Sequence, residues 1–505
     1  MSQTLQPIRE AAIDGRTKNI IWRQIQLENL QRTLIDNADT IQAAIQQDSA
    51  YTATEAAIEY CLTLKCLNEN YESLNVEQAL REEYAVARGE NAGDFRDPVG
   101  IVYIVPTTHN LFYSIISAVG AAITAGNCVV IELQITVGQK AVSELLQNLL
   151  KSSLDHSVIE FVSSRASDED LSPNHIRLFQ EKSQNERQPA SSKTIFPLPS
   201  STRTVAIVDR TADLTSAAEA IATARFAYGG NSPYAPDLVL VNEFVKSQFL
   251  RALMQATINQ LSLRMSVDAK SSQSKNSQQT ASQIAAEIEE KRASSLSSVG
   301  EGSLVDVNSR DSQLLQSKVR GYNILLHSVR SLDDAIDLAS QNGELLATYT
   351  FADAASGKYV SQFVPSRVSF VNQVPFELLV GPSSPETSPL TQSLHIRYPT
   401  DLFSIPRPQY ILKSPLSQQI QQYLLLKNNN NKSPAIWQKT LITKISKQIS
   451  ATRQKRRPGG QVGFFEQGIL LGLGMTGVPI LVCVGTLAYY GLGLGEENKG
   501  AVVYK

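Results

Sequence analysis

The chain has 505 residues, enough for two large domains, with 42% apolar and 19% charged residues, a mixture that excludes wholesale disorder and fibrous repeats. A formal net charge of −2 leaves no basic footprint for nucleic acid. Four cysteines (Cys61, Cys66, Cys128, Cys483) are too few and too irregularly spaced for a disulfide framework, and the histidines show no metal spacing.

The amino-terminal stretch has no apolar core of signal-peptide length. From 19 to 49 the spacing predicts one long amphipathic helix with Ile21, Ile25, Leu30 and Leu34 on a shared face. Cys61 and Cys66 sit five apart on a further predicted helix, share no face, and read as core. The run VGIVYIVP at 99–106 predicts a strand buried on both faces. A polar turn, an apolar helix from about Leu111 to Ala125 and a second strand at 128–133 follow, which is a βαβ pattern and implies a parallel sheet. Strands at 203–210 and 237–243 flank another helix; a helix at 331–343 opens on Ser331 and closes on Gly343, and strands at 349–353 and 367–374 follow. Between 266 and 316 the composition shifts to Ser, Gln and Lys, which predicts a mobile insertion that buries too little apolar surface to order itself. Residues 184–200 and 427–434 read as loop and linker.

Residues 468–495 contain no charge. A helix needs about 20 apolar residues to cross a bilayer core, so this stretch predicts a transmembrane anchor. Its glycines and Pro479 are at home in membrane helices, and Tyr489 and Tyr490 suit a headgroup layer. Lys444, Lys447, Arg453, Lys455, Arg456 and Arg457 lie upstream, so the positive-inside bias puts the body in the cytosol as a tail-anchored protein. The endoplasmic reticulum is the first expected destination, with the mitochondrial outer membrane or peroxisome as alternatives. A glycine-rich helix packed within the protein is the competing reading of the same residues.

The order of these pieces resembles the aldehyde dehydrogenase superfamily, in particular its class 3 branch, which includes tail-anchored fatty aldehyde dehydrogenases. The likeness is carried by GRTKNIIWRQIQLENLQRTLIDNADTIQAAIQQD, DPVGIVYIVPTTHNLFYSIISAVGAAITAGNCVVIE, VAIVDRTADLTSAAEAIATARFAYGGNSPYAPDLVLVNEF and HSVRSLDDAIDLASQNGELLATYTFAD. It implies an α/β fold of two Rossmann-like parallel-sheet domains with an oligomerisation arm and a C-terminal transmembrane helix. The implied boundaries are 1–203 for a dinucleotide-binding-type domain and 204–385 for a catalytic-type domain that includes the insertion at 266–316. The arm is 386–425, the linker and basic flank 426–467, and the anchor 468–495.

The resemblance also implies where chemistry should reside, and those positions are altered. Pro233 stands at the family's cysteine nucleophile and Pro199 at its glutamate base. A pyrrolidine cannot form a thiohemiacetal, and proline lacks the backbone N–H that would share an oxyanion with Asn110, the retained asparagine. Asn110 reads equally as a turn residue and N-cap. Gln180, Glu181, Ser183 and Asn185 replace a glycine-rich phosphate turn, Glu132 replaces a lysine near the adenosine ribose, and Lys318-Val319-Arg320 replaces the Glu-x-Phe at the nicotinamide ribose. No cofactor is therefore expected, and no metal. The expected role is binding, scaffolding or regulation, as a homodimer or with an intact paralogue through residues 393–413. An active dehydrogenase using NAD or NADP on lipophilic aldehydes is the alternative, and acyl transfer or hydrolysis at Ser232, with His109 as base, a third.

Overall fold

The computed structural model describes residues 5–49, 51–134, 139–171, 173–181, 194–265, 275–299, 302–388, 393–425 and 464–497, with a few positions between 438 and 446. The chain divides into two units, Met1–Leu412 and Lys413–Lys505.

In the first unit a short strand β1 (Arg96–Pro98) precedes a five-stranded sheet of β2 (Ile101–Val105), β3 (Cys128–Glu132), β4 (Ile159–Val162), β5 (His175–Phe179) and β6 (Thr194–Ile195). Its order is β4-β3-β2-β5-β6, with every pair parallel. The apolar runs are explained by position: β2 is central, and helices cover the sheet on both sides. The helix Leu111–Thr124 is buried along its whole length because the helices Ile20–Asp36 and Ala53–Glu72 close over its outer face. A second sheet joins β7 (Thr204–Val208), β8 (Leu238–Asn242), β9 (Ala293–Val299), β10 (Gly302–Val307), β11 (Asn323–Val329), β12 (Ala347–Phe351) and β13 (Ser369–Val371) in the order β13-β12-β7-β8-β11-β10-β9. Only the β9–β10 pair is antiparallel. The two parallel-sheet layers are those implied by the sequence.

Three local expectations need correction. The stretch 19–49 is two helices, Ile20–Asp36 and Ala38–Asp48, parted at Asn37. In the first of them Ile20, Leu27, Leu30 and Leu34 face the core, whereas Ile21 and Ile25 are 54% and 48% exposed. The Ser/Gln-rich stretch forms the helix Lys275–Glu289 and strands β9 and β10, rather than an insertion without structure; 266–274 and 300–301 lie outside the described residues. Average composition hid the pattern: Ile284 packs with Val305, Val307, Leu314 and Leu315 in one apolar cluster. Within the expected arm, 386–425, β14 (Ser404–Pro406) lies antiparallel to β1 with Gln409 bridging Ala92 beyond it, and the helix Pro415–Leu425 belongs to the second unit. Tyr410, Ile411 and Leu412 remain exposed.

In the second unit the helix Phe464–Glu497 includes the stretch Gly468–Ala488, whose 21 residues have a mean hydropathy of 2.0 and no burial. At about 1.5 Å per residue it is long and apolar enough to cross a membrane. The basic flank from Lys444 to Arg457 and the side chains of Tyr489 and Tyr490 lie outside the described residues.

Gly230 sits in the left-handed region (φ +65), and a Cβ there would overlap the Gly321 carbonyl. Gly230→Ala should therefore destabilise the body by roughly 1–3 kcal/mol from backbone strain alone. Chemical denaturation measures it; an unchanged midpoint would show that the 228–233 loop rearranges without cost.

Candidate functional site

Open parallel sheets bind ligands outside the carboxyl ends of their strands, where the strand order reverses. In the five-stranded sheet that place lies between β2 and β5. β2 runs into the turn Pro106–Asn110, and Asn110 enters the helix Leu111–Thr124 with a left-handed backbone (φ +50) and no side-chain cap. Gln180, just past β5, lies across this opening. Its Oε1 accepts from the Thr107 N–H (3.3 Å), its Nε2 donates to the Ser114 carbonyl (2.7 Å), and its backbone N–H donates to Val105 (2.9 Å). The Thr107 hydroxyl donates to Glu181 at 3.1 Å. The two Thr107 donors of the opening are thus taken up by Gln180 and Glu181 of the protein itself. Glu132, at the end of β3, accepts from the Tyr103 hydroxyl (2.7 Å) and from Arg165 Nε (3.2 Å). Ser183 and Asn185 lie outside the described residues.

Asn110 donates from Nδ2 to Glu59 Oε2 (2.8 Å), and its Oδ1 accepts from Gly381 N–H at 3.4 Å. Glu59 also accepts from the Tyr113 N–H (3.2 Å). Burial pushes this carboxyl from 4.5 up to about 7, although both hydrogen bonds oppose the shift. A cavity of about 80 Å³ adjoins it, lined by Tyr51, Glu59, Thr108, Asn110, Phe112 and Gln139 among others.

The loop before β8 is fixed by cations. Pro233 is half-buried; its carbonyl accepts from Lys318 Nζ (2.7 Å) and from the Thr204 hydroxyl (3.2 Å). Lys318 also reaches Asp237 at 2.9 Å, and Asp237 accepts the N–H groups of Thr204 and Val319. Burial pushes the Lys318 amine down to about 8, with Asp237 opposing and Arg320 and Arg225 adding to the shift. Ser232 accepts from the Tyr234 N–H at 3.3 Å, and the Tyr234 hydroxyl meets Ser384. Pro199 lies in an exposed turn, its carbonyl accepting from Thr202.

No family model matches this chain. Among curated proteins it is 26% identical over 383 residues to mouse aldehyde dehydrogenase family 3 member B1, covering 69% of this chain and 77% of that one. It is 24% identical over 380 residues to the rat protein named aldehyde dehydrogenase, dimeric NADP-preferring, covering 70% and 81%. Among solved structures, the substrate-bound AldH of Staphylococcus aureus superposes with a TM-score of 0.64 at 18% identity, covering 84% of this chain and 99% of that one. This is an aldehyde dehydrogenase-like protein, with relatives in family 3.

Within the aldehyde dehydrogenase-like fold, sequence reasoning brought some residues together and not others. Asn110 lies at a strand-to-helix turn as expected, but its amide is engaged by Glu59. His109 turns its Nε2 toward the Leu379 carbonyl (3.0 Å), and among the described residues no hydrogen bond joins it to Ser232. Glu59 was missed altogether. Its signal was available: Ala56, Tyr60, Thr63 and Leu67 mark the buried stripe of the helix Ala53–Glu72, and a carboxylate beside that stripe demands partners.

The Glu59 shift has a definite sign. Its folded value lies above the unfolded one, so the native state binds more protons between pH 4.5 and about 7, and stability falls as pH rises through that window. Relative to Glu59→Gln, the wild-type chain should lose on the order of 3 kcal/mol between pH 4 and 8. Urea midpoints of both proteins across that range test it; parallel pH profiles would mean that Glu59 stays ionised.

Proposed function

We propose that this chain is a membrane-tethered aldehyde dehydrogenase-like protein that does not oxidise aldehydes with NAD or NADP and acts through binding or assembly. The observation that carries the reading is Gln180. Its side chain occupies the Thr107 N–H and bridges to Ser114 at the opening where a dinucleotide would need backbone donors for its phosphates. Glu181 adds negative charge beside it, and Glu132 adds another carboxylate at the end of β3. These residues do not fit a dinucleotide.

The reacting side supports the same reading. Pro233, in the family's nucleophile position, has neither thiol nor N–H, and Pro199, in the base's position, has no carboxylate. The cysteines offer no replacement. Burial pushes Cys66 and Cys128 up to about 12, so both stay protonated at neutral pH. Cys61, expected in the core, is instead exposed on the helix Ala53–Glu72, and Cys483 lies in the apolar tail helix. The apolar tail supports anchoring, and the name of the rat relative, dimeric, supports association of two copies, for which residues 393–413 are the expected contact.

Two experiments bear on this. Pro233→Cys returns a thiol and an N–H, and one oxyanion donor alone is worth ~10²–10³ in rate. The variant should nevertheless form no NADH or NADPH with short- or long-chain aldehydes, because an acceptor held close supplies ~7–11 kcal/mol of such a barrier. Fluorescence titration of the wild-type chain with NAD and NADP should likewise show no saturation. Cofactor reduction, or saturable binding, would overturn the reading. Separately, deleting residues 460 onward should move the body to the soluble fraction, and its persistence in carbonate-washed membranes would remove the tail as anchor.

A further inference from the structure

The helix Pro415–Leu425 lies at the start of the second unit, and Ser414 caps it. The Ser414 Oγ accepts from the Ser417 N–H (3.1 Å) and its carbonyl accepts from the Gln418 N–H (3.0 Å). Leu416, Ile420 and Leu424 recur every four residues and so form one stripe, 48%, 39% and 73% exposed. Gln418 and Gln421 lie on the opposite side. Every side chain of this helix that the structure describes is exposed. The pattern is that of a segment that buries one face, and among the described residues nothing covers it. At 11 residues the helix is also too short to persist in water on propensity alone.

Two features of the chain say what covers the stripe. From Leu402 to Phe465 there are eleven lysines and arginines and no aspartate or glutamate. The remaining residues carry 35 basic against 48 acidic side chains, so the positive charge is concentrated around this helix and after it. A surface that complements it is anionic. The second feature is distance along the chain: 42 residues separate Leu425 from Gly468, where the membrane-length stretch begins. A tether of that kind keeps the helix beside one bilayer at high effective concentration, whereas a soluble partner must be recruited from dilute solution. Between the two, Lys439 and Ile442 are both helical and exposed, so the pairing of basic and apolar side chains continues toward the span.

We propose that Pro415–Leu425 is an interfacial helix, which lays its Leu416, Ile420 and Leu424 face into the headgroup layer of the bilayer that holds the tail, and that the basic residues after it select anionic lipids. This deepens the anchoring part of the reading above, and rests on it, by naming the lipid class. Three aliphatic side chains bind a bilayer weakly, and each Lys or Arg near an anionic surface strengthens binding about fivefold. High salt screens such attachment and alkaline carbonate discharges its lysines, so the outcome expected on deleting the tail is unchanged.

The test reconstitutes the full-length chain in vesicles of phosphatidylcholine alone or mixed equally with phosphatidylserine. An environment-sensitive fluorophore is attached at Ile420→Cys or at Gln418→Cys, on a background of Cys61→Ser and Cys483→Ala. A third sample has Cys61→Ser only and is labelled at Cys483. With phosphatidylserine present, lipid carrying a shallow quencher should quench the label at 420 about twofold or more beyond the label at 418, as expected for a face buried at the headgroup boundary. That contrast should shrink in phosphatidylcholine alone and in high salt. Equal quenching at 418 and 420, no quenching at 420, or the same contrast in both kinds of vesicle would overturn the proposal. The label at Cys483 reads the tail separately. Its quenching by lipid with a deep acyl-chain quencher, without quenching at 420, leaves the anchor intact and removes the interfacial helix. The reverse result removes the anchor and leaves the helix as a surface attachment.

Discussion

The buried carboxylate of Asp237 is the constraint on which the second half of the body depends. It sits at the entrance of β8, receives the first N–H of β7 from Thr204, and receives the N–H of Val319 just ahead of β11. Three elements of one sheet are thereby registered by a single side chain. Burying a carboxylate with no exposure is costly without compensation, and Lys318 and Arg225 provide it. The arrangement overshoots. Three cations crowd one anion, and burial first, with Arg320 and Arg225 adding to it, pushes the Lys318 amine down to about 8.

The first half has a mirror-image difficulty. Glu59 is buried among apolar helices with no cation in ion-pair distance among the described residues, and it is held by two neutral donors, Asn110 and Tyr113. Neutral donors soften the desolvation of a carboxylate without cancelling it, which is why its pKa rises where acidic residues paired to cations fall. The same contact fixes Asn110, and Asn110 in turn meets the backbone of Gly381. An asparagine whose amide is committed on both sides is a structural clamp between the amino-terminal helices and the 376–384 segment.

The parallel sheets were legible in the sequence because burial on both faces leaves β2, β3, β7 and β8 almost no room for polar residues. The Ser331 cap was legible for an equally local reason: its hydroxyl accepts the Asp334 N–H three residues on. What depended on tertiary partners was not. Ile21 and Ile25 carry the helical spacing of a core face, yet Ile20 and Leu27 won the interior once the helix started at Asn19 and stopped at Asn37. The Ser/Gln-rich stretch was misread because a few residues decide its fate. Leu304 and Val305 pair with β11, and once that strand is in place the serines of β9 need only its outer edge. At the site, a resemblance pointed to Gln180, Pro233 and Lys318, but the hydrogen bonds that these residues make could not be read from it. Nothing local says that Gln180 reaches Thr107 and Ser114, or that Lys318 folds back on Pro233.

On the proposed reading, those contacts explain why the residues Gln180, Pro233 and Lys318 belong together physically. A site that must receive a ligand keeps donors unsatisfied until the ligand arrives, and leaving a buried polar group unpaired costs about 1–3 kcal/mol. Once a site no longer has to wait for that ligand, substitutions that satisfy those donors from within are stabilising and accumulate without a functional penalty. Gln180 satisfies the Thr107 N–H, and Lys318 satisfies the Pro233 carbonyl.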